Sequence, residues 1–96
     1  MRLLFIVCEA NVDERIIELI VEAGASGYTR FTGAFGNGEH GRREGSPVWP
    51  GLNSIVLTAV SEEQAERLTE LILNLKAERH DRLGVRVFSV PADQLV

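Results

Sequence analysis

Apolar residues fall in four short runs and two stripes at helical spacing. "RLLFIVC" (Arg2 to Cys8), "NSIVLTAV" (Asn53 to Val60) and "VRVFSV" (Val85 to Val90) are compact and rich in strand formers, so each predicts a strand. Gly27 to Phe35 alternates through Tyr28, Thr29, Phe31, Thr32 and Phe35 and predicts another. Between the first two of these four segments, Val12, Ile16, Leu19, Ile20 and Ala23 recur at helical spacing. Asn11 with Glu14 three residues on reads as a capping-box start, and Gly24 is placed to end the helix in the left-handed region. Ser61 with Gln64 repeats the capping signature. The second helix then turns Ala65, Leu68, Leu71, Ile72 and Leu75 inward, and Glu62, Glu63, Glu66, Arg67 and Glu70 to water. Arg79 and His80 lie near its C-terminus, where cations are favoured. Pro91 is expected to stop the last strand, leaving at most a turn after it.

The element order is β-α-β-β-α-β. Two right-handed crossovers joining four strands give an α+β, ferredoxin-like sandwich over a single domain, residues 1–96. Its four-stranded antiparallel sheet has the order 4-1-3-2, both helices on one face, and a long loop between the second and third strands. The two middle strands are apolar on both sides. Leu3, Phe5 and Val7 oppose Leu4, Ile6 and Cys8, and Ile55, Leu57 and Ala59 oppose Val56, Thr58 and Val60. Two helices cover only one face. Each large apolar side chain left outside forgoes roughly 1.5–3 kcal/mol of burial, and so wide a patch is unusual on a lone subunit. Other copies of the same chain, in a closed symmetric ring, are the expected cover.

Composition adds three limits. The chain is 45% hydrophobic and 25% charged, as ordinary globular proteins are, and its net charge of −4 offers no general basic field for nucleic acid. Nine of the ten cations are arginine, which suits planar contacts with anions where they cluster. Cys8 is the only cysteine, so no disulfide staples the chain within itself. The apolar start is too short for a signal peptide and no run approaches a membrane span, so a cytoplasmic protein without membrane insertion is expected.

The segment "GAFGNGEHGRREGSPVWPGLN" (Gly33 to Asn53) holds six of the nine glycines and the only tryptophan. It reads as neither helix nor strand. Loops this long in small domains are functional or disordered, and Trp49 between Pro47 and Pro50 is a costly residue for a mere spacer. Successive glycine amides can cradle an anion, and Arg42 and Arg43 can fork onto a phosphate or carboxylate.

The stretch "AGASGYTRFTGAFGNGEHG" (Ala23 to Gly41) resembles the part of the P-II nitrogen-regulatory family in which a helix ends, a Gly-x-Thr strand begins and a G-F-G-like turn opens the T-loop. Ala34-Phe35-Gly36 stands where that turn would be. "GVRVFSVPADQLV" (Gly84 to Val96) resembles the family's fourth strand. The resemblance covers nearly the whole chain. It implies a homotrimeric signal transducer, not an enzyme, whose inter-subunit clefts take ATP or ADP and whose T-loop reports the bound state to a partner protein, a transporter or an enzyme. The chain departs from the family in lacking a tyrosine between Gly36 and Asn53. It also lacks the glycine- and lysine-bearing B-loop, where "AERHDRLGVRV" (Ala77 to Val87) offers Arg79, His80, Arg82 and Arg86 instead.

Together these readings assign a small anionic effector to Thr32, Gly36, Asn37, Gly38, Arg82 and Arg86. Partner contacts fall to Glu39, His40, Arg42, Arg43 and Trp49 on the 37–50 loop. No cofactor is required, and adenine nucleotide enters as effector. The alternative is a metal-binding trimer of the CutA kind, used for divalent-ion tolerance, with Cys8, Glu9 and His40 as ligands. No catalytic constellation or P-loop is present.

Overall fold

The computed structural model describes residues 1–38, 41–43 and 52–96. The strands are β1 (Arg2–Glu9), β2 (Thr29–Ala34), β3 (Gly36–Gly38), β4 (Gly41–Arg43), β5 (Asn53–Val60) and β6 (Val85–Pro91); the helices are α1 (Asp13–Glu22) and α2 (Glu62–Glu78). Four strands form one antiparallel sheet in the order β2-β5-β1-β6, the ferredoxin-like arrangement expected. Both middle strands are the doubly apolar ones.

The core lies between the sheet and the helices. Leu4, Ile6 and Cys8 of β1, Val56 and Val60 of β5, and Val85 of β6 meet Ile16, Leu19 and Ile20 of α1 and Leu68, Ile72 and Leu75 of α2. Two polar residues on this face of β5 are buried and satisfied. Ser54 Oγ donates to Asp13 Oδ2 at 2.7 Å, and Thr58 Oγ1 donates to the Gly27 carbonyl at 2.7 Å. The other face of the sheet carries Leu3, Phe5, Val7, Ile55, Leu57 and Ala59, joined through the register by Phe31 of β2 and by Phe88 and Val90 of β6. Phe31, Phe88 and Val90 are exposed, and Phe88 is 59% open.

The helix ends follow local chemistry, with one correction. At α2 the Ser61 side chain accepts from the Gln64 N–H, and the Gln64 side chain accepts from the Ser61 N–H. Gly24 follows α1 at φ +89, with the Ala25 N–H reaching Ile20 and the Gly24 N–H reaching Val21, the bonding of a Schellman ending. The expected cap at Asn11 is absent. Residues Ala10–Val12 form a 3-10 turn, and α1 begins at Asp13 without a side-chain cap. The 3-10 turn puts Val12 at the position before the helix, where its apolar side chain cannot cap, and the Ala10 N–H bonds to the Leu52 carbonyl at 2.9 Å.

The strands also differ in detail. β2 starts at Thr29 and not at Gly27, because the Gly27 carbonyl is satisfied by a side chain before the ladder begins. β2 also carries a bulge: Phe31 pairs with Ile55 but Ala34 with Asn53, and Gly33, at φ +72, takes the left-handed position that the extra residue requires. β6 runs through Pro91, opposite Arg2. The glycine-rich segment, expected to lack strands, opens as a hairpin in which Gly36 pairs with Arg43, Asn37 with Arg42 and Gly38 with Gly41. Three of its six residues are glycine and none is apolar with a side chain, so no alternation of apolar residues announces that register.

Candidate functional site

One end of the sheet gathers the residues expected to bind an effector. There the β1 terminus, the start of β5, the end of β2 and the start of β6 lie side by side: Ala34 pairs with Asn53, Asn53 with Glu9, and Cys8 with Val85. Thr32 lies in the β2 bulge, and β3 with Gly36, Asn37 and Gly38 follows directly. Arg82 is exposed in the turn that feeds β6, and Arg86 lies on β6 opposite Val7, on the open apolar face.

Within one subunit these groups do not converge. β2 and β6 are the opposite edges of the sheet, with β5 and β1 between them. Three strand spacings separate them by about 14 Å. Thr32 and Gly36–Gly38 therefore occupy one edge, and Arg82 and Arg86 the other. Of the expected loop contacts, Arg42 and Arg43 belong to β4, and Glu39, His40 and Trp49 lie outside the described residues.

The α2–β6 turn is built with unusual backbone. His80 and Asp81 both have positive φ, 53 and 60, and the Asp81 N–H bonds to the Lys76 carbonyl at 2.9 Å. Left-handed conformations cost non-glycine residues about 1–2 kcal/mol each, although His and Asp tolerate them better than most. Leu83, buried, anchors the turn to the core and leaves Arg82 outward.

Sequence reasoning missed what joins this end of the sheet. The Glu9 N–H donates to the Gly84 carbonyl at 3.0 Å, and the next N–H, of Ala10, donates to Leu52. A methyl carbon built on Gly84 would fall 2.6 Å from Glu9 Cγ and 2.7 Å from its Cδ and Oε1. Only the polar ending of an otherwise apolar strand marks this position in the sequence.

The metal alternative gains no geometry. Cys8 and Glu9 alternate to opposite faces of β1. Cys8 is buried, and burial, followed by the nearby Asp13 and Glu9 charges, pushes its thiol up to about 12, where it is a poor metal ligand. His40 lies outside the described residues, and no group of three metal-ligating side chains gathers among those described. A groove of about 580 Å³ between α2 and β6 contains none of the expected effector residues. Glu62, Glu66 and Glu70 line it, the wrong sign for an anion. No described helix is long and apolar enough to cross a membrane.

Comparison with known proteins agrees with this architecture. Among solved structures, CPII from Thiomonas intermedia K12, a nitrogen regulatory PII-like protein bound to ADP, AMP and bicarbonate, is 25% identical. It matches with a TM-score of 0.74 over 97% of this chain and 88% of its own. Its apo form, also 25% identical, matches with a TM-score of 0.62 over 96% and 92%. A PII-like signalling protein from Thermus thermophilus is 31% identical, with a TM-score of 0.67 over 93% of this chain and 83% of its own. No curated relative matches the sequence. The family pattern described as nitrogen regulatory protein P-II matches residues 1–96, so the chain belongs to the P-II family.

Proposed function

We propose that this chain is a cytoplasmic, PII-like regulator and not an enzyme. It assembles as a homotrimer through the open face of its sheet. It binds an adenine nucleotide, with a small anion such as bicarbonate, in clefts between subunits, and signals the bound state through residues 37–50 to a partner protein. One observation carries this reading: the candidate binding groups share one end of the sheet but occupy its two opposite edges. A ring that sets the β2 edge of one copy beside the β6 edge of the next joins the two halves. Phe5, Leu57 and Phe88 supply the apolar surface for such assembly. The match to CPII, solved with ADP, AMP and bicarbonate bound, supports the ligand class. Arg82 and Arg86 stand in for the family's B-loop lysine, as guanidinium forks suited to phosphate.

Titration calorimetry with ADP, with and without bicarbonate, tests the site, and sedimentation tests the assembly. Binding is expected to weaken tenfold to a hundredfold in Arg86→Ala, roughly the loss of one charge-assisted hydrogen bond. The sedimenting species is expected to be a trimer of the 10.6 kDa chain. A well-behaved monomer at micromolar concentration that gives no heat with either ligand overturns the proposal.

A further inference from the structure

The geometry points to the groove between α2 and β6 as the docking site for a positively charged amphipathic helix of a partner protein. α2 packs over β1 and β5. The edge strand, β6, is left flanking a groove of about 580 Å³. Val87 and Ser89 pair with Ile6 and Leu4 and so lie on the helix side of the sheet, whereas Arg86, Phe88 and Val90 lie on its open side. The groove is therefore separate from the apolar face offered for assembly, and it contains none of the candidate effector groups.

Its floor is apolar and one wall is acidic. Leu4, Ala65 and Val87 belong to the core or pack against it, and Leu73 stands beside them with 60% of its surface exposed. Thr69 donates its hydroxyl to the Ala65 carbonyl at 2.8 Å, so it needs no polar partner from an occupant. Glu62, Glu66 and Glu70 follow one another at four-residue spacing, a carboxylate about every 6 Å along α2. Such a row of like charges is unfavourable to a lone helix. Arg2 meets Glu62 at 3.2 Å, and Arg67 reaches Glu70 only at 3.9 Å while also pairing with Glu22. Glu66, between them, has no ion pair among the described residues. A helix with Lys or Arg at every fourth position matches the row in spacing and in sign, and its apolar side chains meet Leu73 and the floor. A second copy of this chain, with a net charge of −4, is the poorer match.

A chemical-shift titration of the full chain tests this. The probe is a synthetic helical peptide with Lys at every fourth position and Leu beside it, compared with the same peptide bearing Glu for Lys. The Lys peptide is expected to shift the amides of Ala65, Thr69, Leu73 and Val87, and the Glu peptide to shift none of them. Glu66→Lys should weaken the Lys peptide about tenfold, by placing like charge against like. Glu63→Lys makes the same change of net charge outside the groove and should leave binding nearly unchanged. Leu73→Gln keeps the charges and a good helix former, and should weaken binding about tenfold, the scale of burying the rest of one leucine. All three side chains are exposed, so the variants are expected to fold as the wild type does. Equal losses in Glu66→Lys and Glu63→Lys would mean attraction to an acidic surface in general and overturn the inference. Binding that Leu73→Gln does not weaken, equal shifts with the Glu peptide, or no shift at millimolar Lys peptide also overturn it. Groove amides that move with protein concentration alone assign the groove to a second copy, against the inference. No nucleotide enters the experiment, so its failure leaves the effector reading untouched.

Discussion

Cys8 illustrates how a side chain's neighbours override its chemical reputation. Its type and its place beside Glu9 suggest a ligand, yet it is packed under the helices opposite Ser54 and Val85. Its thiol is raised from the ordinary 9.0 to about 12, first by burial and then by Asp13 and Glu9. The raised value has a definite consequence for stability. Below about pH 9 the thiol is protonated in both folded and unfolded chains and contributes no pH dependence. Above that, the unfolded chain ionises first, so the folded state loses stability as pH rises toward 12. The urea midpoint of the wild type should therefore fall more steeply between pH 9 and 11 than that of Cys8→Ala. At pH 8, alkylation of native Cys8 should be no faster than unfolding; rapid alkylation of folded protein would refute the burial argument.

At the scale of elements, the two helices start by different devices and should respond differently. Ser61→Ala removes one half of a formed capping box and should cost about 1 kcal/mol in a denaturant titration. Asn11→Ala should change stability by less than about 0.5 kcal/mol, because the exposed Asn11 caps nothing. The contrast also marks how far the sequence could be read. Ser61 and Asn11 carry the same signature, and what separates them is the 3-10 turn at Ala10–Val12, which moves the helix start past Asn11 and which the capping signature does not encode. The unbroken apolar runs did encode β1 and β5, and the helical spacing of apolar residues encoded α2. The β3–β4 hairpin leaves none, since Gly36, Gly38 and Gly41 pair through backbone alone. For the candidate site, residue types were legible in Arg82, Arg86 and Gly36. Their distribution over two edges was not, because it follows from strand order, and Glu9 was legible only as the wrong kind of residue.

For the whole molecule, strand order decides what a single chain can do. The open face joins Leu3, Phe5 and Val7 to Ile55 and Leu57 across the middle of the sheet, and an edge lies on each side of it. Under the proposed assembly every pocket takes its two walls from different chains, so damage need not stay with the chain that carries it. A Thr32→Ala copy is impaired on its β2 wall, and an Arg86→Ala copy on its β6 wall. Each variant alone yields rings with every pocket impaired. Refolded as a mixture, the two should recover ADP binding at the junctions where an intact β2 wall happens to meet an intact β6 wall, while each mixed ring also holds one junction with both lesions and one, between like copies, with a single lesion. Calorimetry of the mixed rings should then read a fraction of high-affinity sites that neither parent possesses. A pocket wholly contained in one chain would give no such recovery, whatever the mixing ratio.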